Sequence, residues 1–311
     1  MNIQGMRSAP EGTHRSTARR AALRLGVVAG SLLGMLIALS EARGQAPSPN
    51  LPASVRHELR IVATPRPLRI HTVRIDLRDR ALSFEVVAAP DPDRGGPAET
   101  VLTAPDALSK RRGAVGAINT AAWSMLPDPS TGKPFGYVAD KPADIHGWVS
   151  NGRRTISPPE SGFWSVWMQA SGTVSIGEIP SNEARVRDAS GARWAVSGFA
   201  GILRGGKVLP AASDVRHPRS AIGLGADGTT MVWLLVDGRR PGISEGVSEE
   251  ELARLLLEAG CTEGINLDGG GSSSLWLRGT NGLSLMNLPS DRTGPRPVPT
   301  MLVLKHSRRR R

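Results

Sequence analysis

The sequence predicts an α+β fold, a single domain built on a mixed, largely antiparallel sheet with flanking helices. Short segments in which apolar and polar residues alternate recur along the chain, as in half-buried strands. Turns of the Asp-Gly type, such as Asp227-Gly228, join neighbouring segments directly, which is typical of antiparallel hairpins. Two stretches, beginning near Thr103 and at Ser248, have helical features instead. Hairpins mixed with two helices favour this class over a doubly wound fold.

Composition places the chain among folded proteins that do not bind nucleic acids. Its 311 residues are 39% hydrophobic, enough for a sizeable core. The net charge of +11 is concentrated at the ends: residues 1–44 hold six Arg and two Glu, and residues 305–311 hold one Lys and four Arg. The region between them is close to neutral, so no basic face for nucleic acid is expected.

Residues 1–44 have the order of a secretory signal. An Arg-rich start precedes the apolar segment 25–40, and small residues follow at Ala42 and Gly44. The apolar segment is short for a membrane helix, which needs about 20 residues. Arg19-Arg20 resembles a twin-arginine signal, and an uncleaved membrane anchor is the alternative. We therefore predict an exported protein, periplasmic or secreted, without a stable membrane span after cleavage.

The predicted elements follow in order. A linker and first strand occupy 45–67, and the predicted domain covers 68–304. Alternation and apolar runs predict strands at 55–61, 68–77, 81–88, 115–118, 220–225, 231–236, 264–267 and 298–304. The run 231–236 is continuously apolar, which is typical of a central strand covered on both faces.

Two helices and a tail complete the prediction. One helix is expected from Thr103 to about Lys110, and another over 249–259, where Ser248 and Glu251 form a capping box. Residues 305–311 are predicted as a basic, disordered tail, and attachment to an anionic surface through its arginines is the alternative.

The strongest candidate site lies in Asn266-Leu267-Asp268, followed by three glycines and Ser272. Apolar residues on either side predict a strand, a tight loop and a second strand. The glycines remove every Cβ, so the backbone can bend and a ligand can approach it closely. A ligand-binding loop is therefore predicted, and a plain turn is the alternative.

Other polar residues stand at the ends of predicted strands, where they can converge on one edge of a sheet. Asn119 follows the strand at 115–118, Asp237 and Arg239 follow 231–236, and Arg219 precedes 220–225. Each alone has a local alternative. Asp237-Gly238 could form a turn, Arg219 could be a surface residue, and Asn119 could cap the backbone.

Motifs of several other classes are missing. No phosphate loop of the Gly-x-x-x-x-Gly-Lys type occurs. The six histidines form no His-x-x-x-His pair, and the single cysteine, Cys261, can form no internal disulfide. Core packing is the more frequent role for the tryptophans, and stacking on sugar rings is the alternative.

Taken together, the motifs resemble the phosphodiester glycosidase family. Asn266 to Ser272 resembles its signature, and Asn119 to Trp123 resembles its Asn-Gly-Gly-Phe-Phe segment, with Thr120 and Ala121 in place of glycines. The loop after that segment, Gly132-Lys133-Pro134-x-Gly136, also resembles the family. The remaining resemblances, in family order, lie in Arg219-Ser220-Ala221-Ile222-Gly223, Asp237-Gly238-Arg239 with Ser244-x-Gly246 and the 249–259 helix, Asn287-Leu288-Pro289-Ser290 and Arg296-Pro297-Val298. The similarity extends from about residue 70 to residue 304.

The resemblance implies hydrolysis of a sugar-1-phosphodiester between the anomeric carbon and the phosphate oxygen. Asp268 is the first candidate for the carboxylate that stabilises or attacks the oxocarbenium-like carbon, and Asp237 is a second carboxylate for acid/base work. The remaining candidates would bind or position the substrate. Arg219 and Arg239 would pair with the phosphate, and the amides of Gly269, Gly270 and Gly271 with the Ser272 hydroxyl would stabilise its charge. Asn119 and Asn266 would bind sugar hydroxyls or orient Asp268.

The expected partner is therefore a carbohydrate or sugar phosphate, from glycans of the cell envelope or outside the cell. No cofactor is established, and a divalent cation among Asp268, Asp237 and Asn266 is an alternative that no ligand spacing supports. A function from a different class also stays open: a non-catalytic, polysaccharide-binding protein of the envelope. No oligomeric state is predicted.

Overall fold

The computed structural model describes residues 49–179 and 191–307. Strands make up 44% of it and helices 7%, so the fold is β-rich and the predicted α+β class is wrong. Two α-helices lie in these ranges, α1 (Pro105–Ser109) and α2 (Glu249–Glu258). The prediction failed because sheets cover most of the apolar faces here, and the flanking helices that it required are too few and too short to do so.

Twenty strands in the described ranges form four antiparallel sheets. The seven-stranded sheet has the order β1 (Val55–Val62), β2 (Leu68–Asp76), β16 (Thr230–Val236), β15 (Arg219–Gly225), β17 (Cys261–Asn266), β13 (Gly201–Arg204), β14 (Lys207–Val208). The β5 sheet has the order β19 (Gly282–Leu285), β18 (Leu275–Gly279), β5 (Ala114–Asn119), β20 (Thr300–His306), β3 (Leu82–Ala88).

The other two sheets come mainly from the middle of the chain, where strand patterns in the sequence are short and weak. The β10 sheet has the order β11 (Val174–Glu178), β10 (Trp164–Met168), β12 (Trp194–Ser197), β8 (Val149–Ser150), β9 (Thr155–Ser157). The small sheet has the order β4 (Thr100–Val101), β7 (Pro142–Ile145), β6 (Trp123–Met125).

Strand β16 is buried on both faces, which confirms its prediction as a central strand. Val232 and Leu234 belong to the core beneath helix α2. Trp233 and Leu235 point to the opposite side and belong to the larger core, shared with the β5 and β10 sheets. A continuous apolar run is what a strand needs when it lies between two apolar layers.

Helix α2 begins with the predicted capping box. The Ser248 hydroxyl accepts from Glu251 N at 3.2 Å, and the Glu251 carboxylate accepts from Ser248 N at 2.9 Å. These bonds satisfy amide groups that the first helical turn leaves without partners. The buried face of the helix, Leu252, Ala253 and Leu256, covers one side of the seven-stranded sheet.

The ends of the chain lie partly outside the described residues. The predicted signal, 1–44, and the arginines 308–311 are both outside them. Strand β1 pairs with β2 along its whole length, and β20 continues to His306, two residues into the segment predicted as a tail. Within 49–179 and 191–307, no helix is long and apolar enough to cross a membrane.

Candidate active site

The segment 267–274, here called the glycine loop, joins two sheets. It leaves β17 of the seven-stranded sheet and enters β18 of the β5 sheet, with one 3₁₀ turn at Gly270–Ser272. The predicted order of strand, tight loop and strand is confirmed. Because β15 is antiparallel to both β16 and β17, its first residue, Arg219, lies beside Val236 and close to the end of β17. The register therefore brings the predicted strand-end residues to one edge.

Asn119 fastens the glycine loop from behind. Its side-chain oxygen accepts from the Ser220 hydroxyl at 2.8 Å and from Ser274 N at 3.0 Å. Its side-chain nitrogen donates to the Asp268 carbonyl oxygen at 2.7 Å. The side chain is fully buried, so these contacts leave it no surface for a sugar. Of the two roles that the sequence suggested, its position fits orienting Asp268.

Asp268 is the half-buried carboxylate at the centre of the site. Its two oxygens accept from Gly269 N at 2.8 Å and from the Trp123 indole N–H at 3.1 Å. Burial raises its pKa to about 6, and hydrogen bonds from Ser272, Gly269 and Trp123, with the charge of Arg296, oppose that rise. A carboxylate with this pKa is mostly ionised at neutral pH, yet is more basic than an exposed one.

At each of the three glycines, a Cβ would meet neighbouring protein atoms at close range. A Cβ on Gly269 would lie 2.7 Å from the Pro218 carbonyl oxygen, and one on Gly271 would lie 2.4 Å from an Asp291 oxygen. Gly270 has a φ of +61°, and a Cβ there would lie 3.1 Å from the Arg239 guanidinium. The Gly269 and Gly270 amides already donate inside the protein. The glycines thus allow neighbouring protein groups to pack closely against the loop. Because two of the backbone amides already have partners, only some of the amides predicted to bind the phosphate remain available for it.

An aromatic and cationic wall stands in front of the loop. We give this name to Trp123, Tyr137 and Arg296. The Trp123 and Tyr137 rings meet edge to face at 5.6 Å, and the Arg296 guanidinium lies 3.7 Å from the Tyr137 ring centroid. Arg296 is held by Asp291 at 3.0 Å. Tyr137 is 51% exposed, so the wall offers an open aromatic face beside Asp268.

Arg239 is the exposed cation on the other side of the loop. Its backbone has a φ of +56°, unusual for a residue with a side chain, and its guanidinium lies 3.2 Å from His217 Nδ1. Burial lowers the pKa of His217, and the nearby charges of Arg239 and Arg219 lower it further. A neutral His217 can accept from Arg239 and hold its guanidinium over Gly270.

Asp237 occupies a different environment from the one expected of a second acid/base carboxylate. Its side chain is fully buried, accepting from Arg69 Nε at 3.2 Å and from Leu288 N at 3.0 Å. The His71 ring lies 3.8 Å away, and the Asp237 carbonyl oxygen accepts from the Ser244 hydroxyl at 2.6 Å. Both carboxylate oxygens have protein partners, so Asp237 holds β2 and the segment after β16 together.

Arg219 and Asn266 are likewise committed to a buried network. Arg219 pairs with Glu249 at 3.2 Å and donates to the Val247 and Val215 carbonyl oxygens. Burial lowers the pKa of Arg219, and Glu249 opposes this. Asn266 donates weakly to Glu249 at 3.4 Å. The structure thus places Arg219 behind the loop and leaves Arg239 as the predicted arginine that faces outward.

No group of three or more His, Cys, Asp or Glu side chains in 49–179 and 191–307 is arranged to hold a metal ion. Of the three suggested cation ligands, Asp237 has both oxygens occupied, and Asp268 accepts from two N–H donors. A divalent cation needs several oxygen ligands at once, and the described residues bring no such set together at this site.

Comparison with known proteins identifies the family. The phosphodiester glycosidase profile matches residues 113–305, well over half of the chain. This chain belongs to the phosphodiester glycosidase family. The resemblance seen in its motifs is therefore confirmed, and family membership supports hydrolysis of phosphodiesters as its general activity.

Two solved structures resemble this phosphodiester glycosidase in fold, and one bacterial protein resembles part of it in sequence. The catalytic domain of zebrafish N-acetylglucosamine-1-phosphodiester alpha-N-acetylglucosaminidase, auto-inhibited by its pro-peptide, superposes with a TM-score of 0.57 at 20% identity, covering 85% of this chain and 87% of that one. A hypothetical protein from Synechocystis gives 0.57 at 14% identity, covering 83% and 63%. These likenesses show the fold.

An uncharacterized SPbeta prophage-derived protein of Bacillus subtilis, YomE, is 44% identical over 66 residues, which are 21% of this chain and 10% of that protein.

Three residues of the site had no predicted part in catalysis. Trp123 was considered only for polysaccharide binding and as part of a family-like segment. Tyr137 follows the family-like loop Gly132-Lys133-Pro134-x-Gly136 but had no role of its own. Arg296 lies in a C-terminal segment of the resemblance, which gave it no partner. The one available signal for Tyr137 was that it is the single tyrosine of the chain. Their contacts with one another could not be foreseen because they join distant segments.

Proposed function

We propose that this protein hydrolyses a sugar-1-phosphodiester, releasing the sugar from a phosphate monoester. The observation that carries the proposal is the Asp268 carboxylate, held by Gly269 N–H and the Trp123 indole. The exposed Arg239 and the Asp291-paired Arg296 lie beside the same glycine loop. Family membership supplies the reaction class. We infer the substrate to be a glycan of the cell envelope or the extracellular space.

Asp268 acts on the anomeric carbon. As the bond between this carbon and the phosphate oxygen breaks, the sugar develops positive charge, which an ionised carboxylate stabilises or captures. The two N–H donors fix the carboxylate in position before the substrate arrives, so no reorganisation is required during the reaction. Water then completes hydrolysis at the same carbon.

The leaving phosphate needs charge stabilisation more than it needs a proton, because a phosphate monoester is a good leaving group. Arg239 and Arg296 provide guanidinium groups on either side of the glycine loop. A guanidinium matches the paired oxygens of a phosphate. In this scheme Asp237, Arg219 and Asn119 position the loop and do not contact the substrate.

The test measures free sugar released from a panel of sugar-1-phosphate methyl esters in both anomeric forms. Asp268→Asn should lower kcat by at least ~1000-fold, since it removes the charge that the transition state requires. Asp227→Asn, in the exposed turn between β15 and β16, is the matched control and should retain full activity. Equal turnover by wild type and Asp268→Asn would refute the role of Asp268.

We infer export from residues 1–44, whose order of segments is that of a secretory signal. Expression of the full chain in a Gram-negative host, followed by fractionation, tests this inference. The expected product is periplasmic or secreted and begins near Gln45 by intact mass. Retention in the cytoplasm with an intact N-terminus would contradict it.

A second candidate function is glycan binding without turnover. The observation that favours it is the half-exposed Tyr137 ring beside Trp123, an arrangement suited to stacking on a sugar. Binding of a polysaccharide that survives Asp268→Asn, is lost in Trp123→Ala and is never accompanied by sugar release would support this function over the first.

A further inference from the structure

A second polar cluster lies on the small sheet and has no part in the chemistry above. The Ser124 hydroxyl is 2.6 Å from His146 Nε2, and His146 Nδ1 is 3.1 Å from a Glu160 oxygen. The same Glu160 oxygen accepts from Gly147 N at 3.3 Å. A hydroxyl, an imidazole and a carboxylate are thus connected in series, as in an activated nucleophile with its base and the group that orients the base.

The register of the small sheet produces this arrangement. Ser124 on β6 pairs with Asp144 on β7, and His146 follows two residues later, so all three side chains lie on one face. Trp123, the neighbour of Ser124, must then point to the other face, where it contacts Asp268. One short strand therefore carries a residue of each cluster on its two sides.

The chemistry of the partners fixes the protonation of His146. An ionised Glu160 can only accept, so Nδ1 of His146 carries the hydrogen. Nε2 then has its lone pair free to accept the Ser124 hydroxyl hydrogen, as a general base must. The His146 ring also stacks on Phe163, with centroids 4.8 Å apart and planes 14° apart, which holds its orientation.

The cluster is open to solvent and to a substrate. Ser124 is exposed, and the side chains of His146 and Glu160 are 23% and 46% exposed. Buried hydrogen-bonded serines usually serve to satisfy the fold, whereas this hydroxyl could equally well be solvated by water. The short hydrogen bond from Ser124 to His146 therefore does not serve to satisfy a buried hydroxyl group.

We propose that Ser124, His146 and Glu160 form a second hydrolytic site, which cleaves neutral acyl esters. Ser124 Oγ attacks the acyl carbon while its proton passes to His146 Nε2. The tetrahedral intermediate collapses, the bond from the acyl carbon to the alcohol oxygen breaks, and His146 returns the proton to the departing alcohol. Water, deprotonated by His146 Nε2, then attacks the acyl carbon of the acyl-serine. The bond from this carbon to Ser124 Oγ breaks, His146 returns the proton to Oγ, and the carboxylic acid leaves.

A backbone donor is available for the negative oxygen of the intermediate. His146 N donates to the Ala122 carbonyl oxygen, so residues 122 and 146 are a hydrogen-bonded pair of the ladder. By alternation, the Met125 N–H points away from β7, and β6 is the edge strand of this sheet. The amide after the nucleophile is a common position for an oxyanion donor.

The charges around the site select the substrate class. Asp144 lies on the same face as Ser124, and Glu99 accepts from Ile145 N, immediately before His146. With Glu160, which contacts the imidazole, three carboxylates lie on or beside this part of the sheet, and their charge disfavours an anionic ester. The substrate class is therefore an uncharged acyl ester of a sugar or another alcohol.

The first test uses 4-nitrophenyl acetate with the full chain. Ser124→Ala and His146→Gln should each lower kcat/KM by at least ~100-fold. Ser130→Ala removes an exposed serine that is bonded to Asp128 but to no histidine, and should leave turnover unchanged. Equal turnover by wild type and Ser124→Ala would overturn the proposal.

A second test identifies the nucleophile directly. A fluorophosphonate probe should label wild type at Ser124, located by peptide mass, and should not label Ser124→Ala. Labelling elsewhere, or none, would overturn the proposal even if ester turnover were observed. A probe ester with a negative charge, 4-nitrophenyl hemisuccinate, should react at least ~10-fold more slowly than the acetate, because the carboxylates repel it.

Glu160 acts through His146 and is a positioning residue. Glu160→Gln should lower kcat with little change in KM and shift the acid limb of the pH profile to lower pH, since a charge that stabilises the imidazolium is lost. Glu160→Asp should recover part of the rate. A merely structural Glu160 would leave the pH profile where it is, with Asp144 and Glu99 as the remaining charges beside His146.

The two activities are separable by design. Asp268→Asn should retain ester turnover, and Ser124→Ala should retain hydrolysis of sugar-1-phosphodiesters. Failure of the glycosidase proposal therefore leaves the ester proposal to be judged on its own variants.

Discussion

The polar residues behind the glycine loop differ from those in front of it in what their polar atoms contact. Behind it, Asn119, Asp237 and Arg219 are buried and bonded to protein partners on several sides. In front, Tyr137 and Arg239 are exposed and keep much of their surface for a ligand. Residues of one motif set therefore differ in role: the rear group shapes the loop, and the front group is placed to contact the proposed substrate. Variants of the two groups should therefore fail in different ways.

The largest expected effect comes from behind the loop, with Asp237→Ala. It leaves the partly buried Arg69 and the buried His71 without the carboxylate, so the free energy of unfolding should fall by about 3–5 kcal/mol. Urea denaturation followed by intrinsic fluorescence measures it. Asp227→Ala, in an exposed turn, should cost less than about 1 kcal/mol. A stable Asp237→Ala enzyme with lost activity would instead restore Asp237 as an acid/base group.

Asn119→Ala should have the next largest effect. It removes three hydrogen bonds and leaves buried partners unpaired, at a cost of about 2–3 kcal/mol. Activity should fall as well, because the Asp268 backbone loses its anchor. Asn119→Asp, which keeps the acceptor oxygen, separates the donor contact to Asp268 from the rest. Unchanged stability of Asn119→Ala would show that the rear contacts are dispensable.

Arg239→Ala tests the role of the exposed residues in front of the glycine loop. It should lower kcat/KM for a sugar-1-phosphodiester by about 10–100-fold, by loss of a phosphate contact, while the free energy of unfolding changes by less than about 0.5 kcal/mol. Arg254→Ala, on the exposed face of α2, is the matched control and should change neither quantity. If Arg239→Ala is inactive only because it unfolds, the division between front and rear does not hold.

The smallest effect is a shift in pH dependence. Activity that requires ionised Asp268 should rise with pH through about 6, where burial has placed its pKa. Trp123→Phe removes an N–H donor that favours the ionised form, so the pKa should rise by about half a unit to one unit and the acid limb should move to higher pH. The pH profile of kcat/KM measures the shift. A move to lower pH would mean that the indole does not donate to Asp268 during catalysis.

The sequence could predict the glycine loop and the elements nearest to it. Glycine runs, apolar alternation and the capping residues Ser248 and Glu251 are local signals, and they identified β15, β16, α2 and the loop. The fold class failed because it depends on which faces stack, and short strands such as β6 to β9 have weak patterns. The position of a residue at the end of a predicted strand also does not reveal whether its carboxylate is buried and paired or free. Asp237 meets Arg69 from β2, whose position beside β16 is known only from the sheet order.

Two serines also show that a sequence motif does not reveal which groups a side chain contacts. Ser244 has the spacing Gly-x-Ser-x-Gly within 242–246, a pattern typical of a hydrolase nucleophile. The structure buries it and directs its hydroxyl to the Asp237 carbonyl oxygen. Ser124 lies in no recognised motif, yet it is exposed and bonded to a histidine. Motif spacing reports local chain shape, whereas the partners of a hydroxyl come from distant segments.

The passage of the glycine loop from one sheet to another has a consequence for heat inactivation. The Asn119 side chain spans this seam, bonding Ser220 in one sheet and Ser274 at the entrance to the other. The Asp268 carboxylate therefore cannot lose its geometry by fraying of a surface loop alone, since the seam opens only when the two sheets separate. Loss of the proposed glycosidase activity on heating should coincide with the cooperative melting of the whole domain.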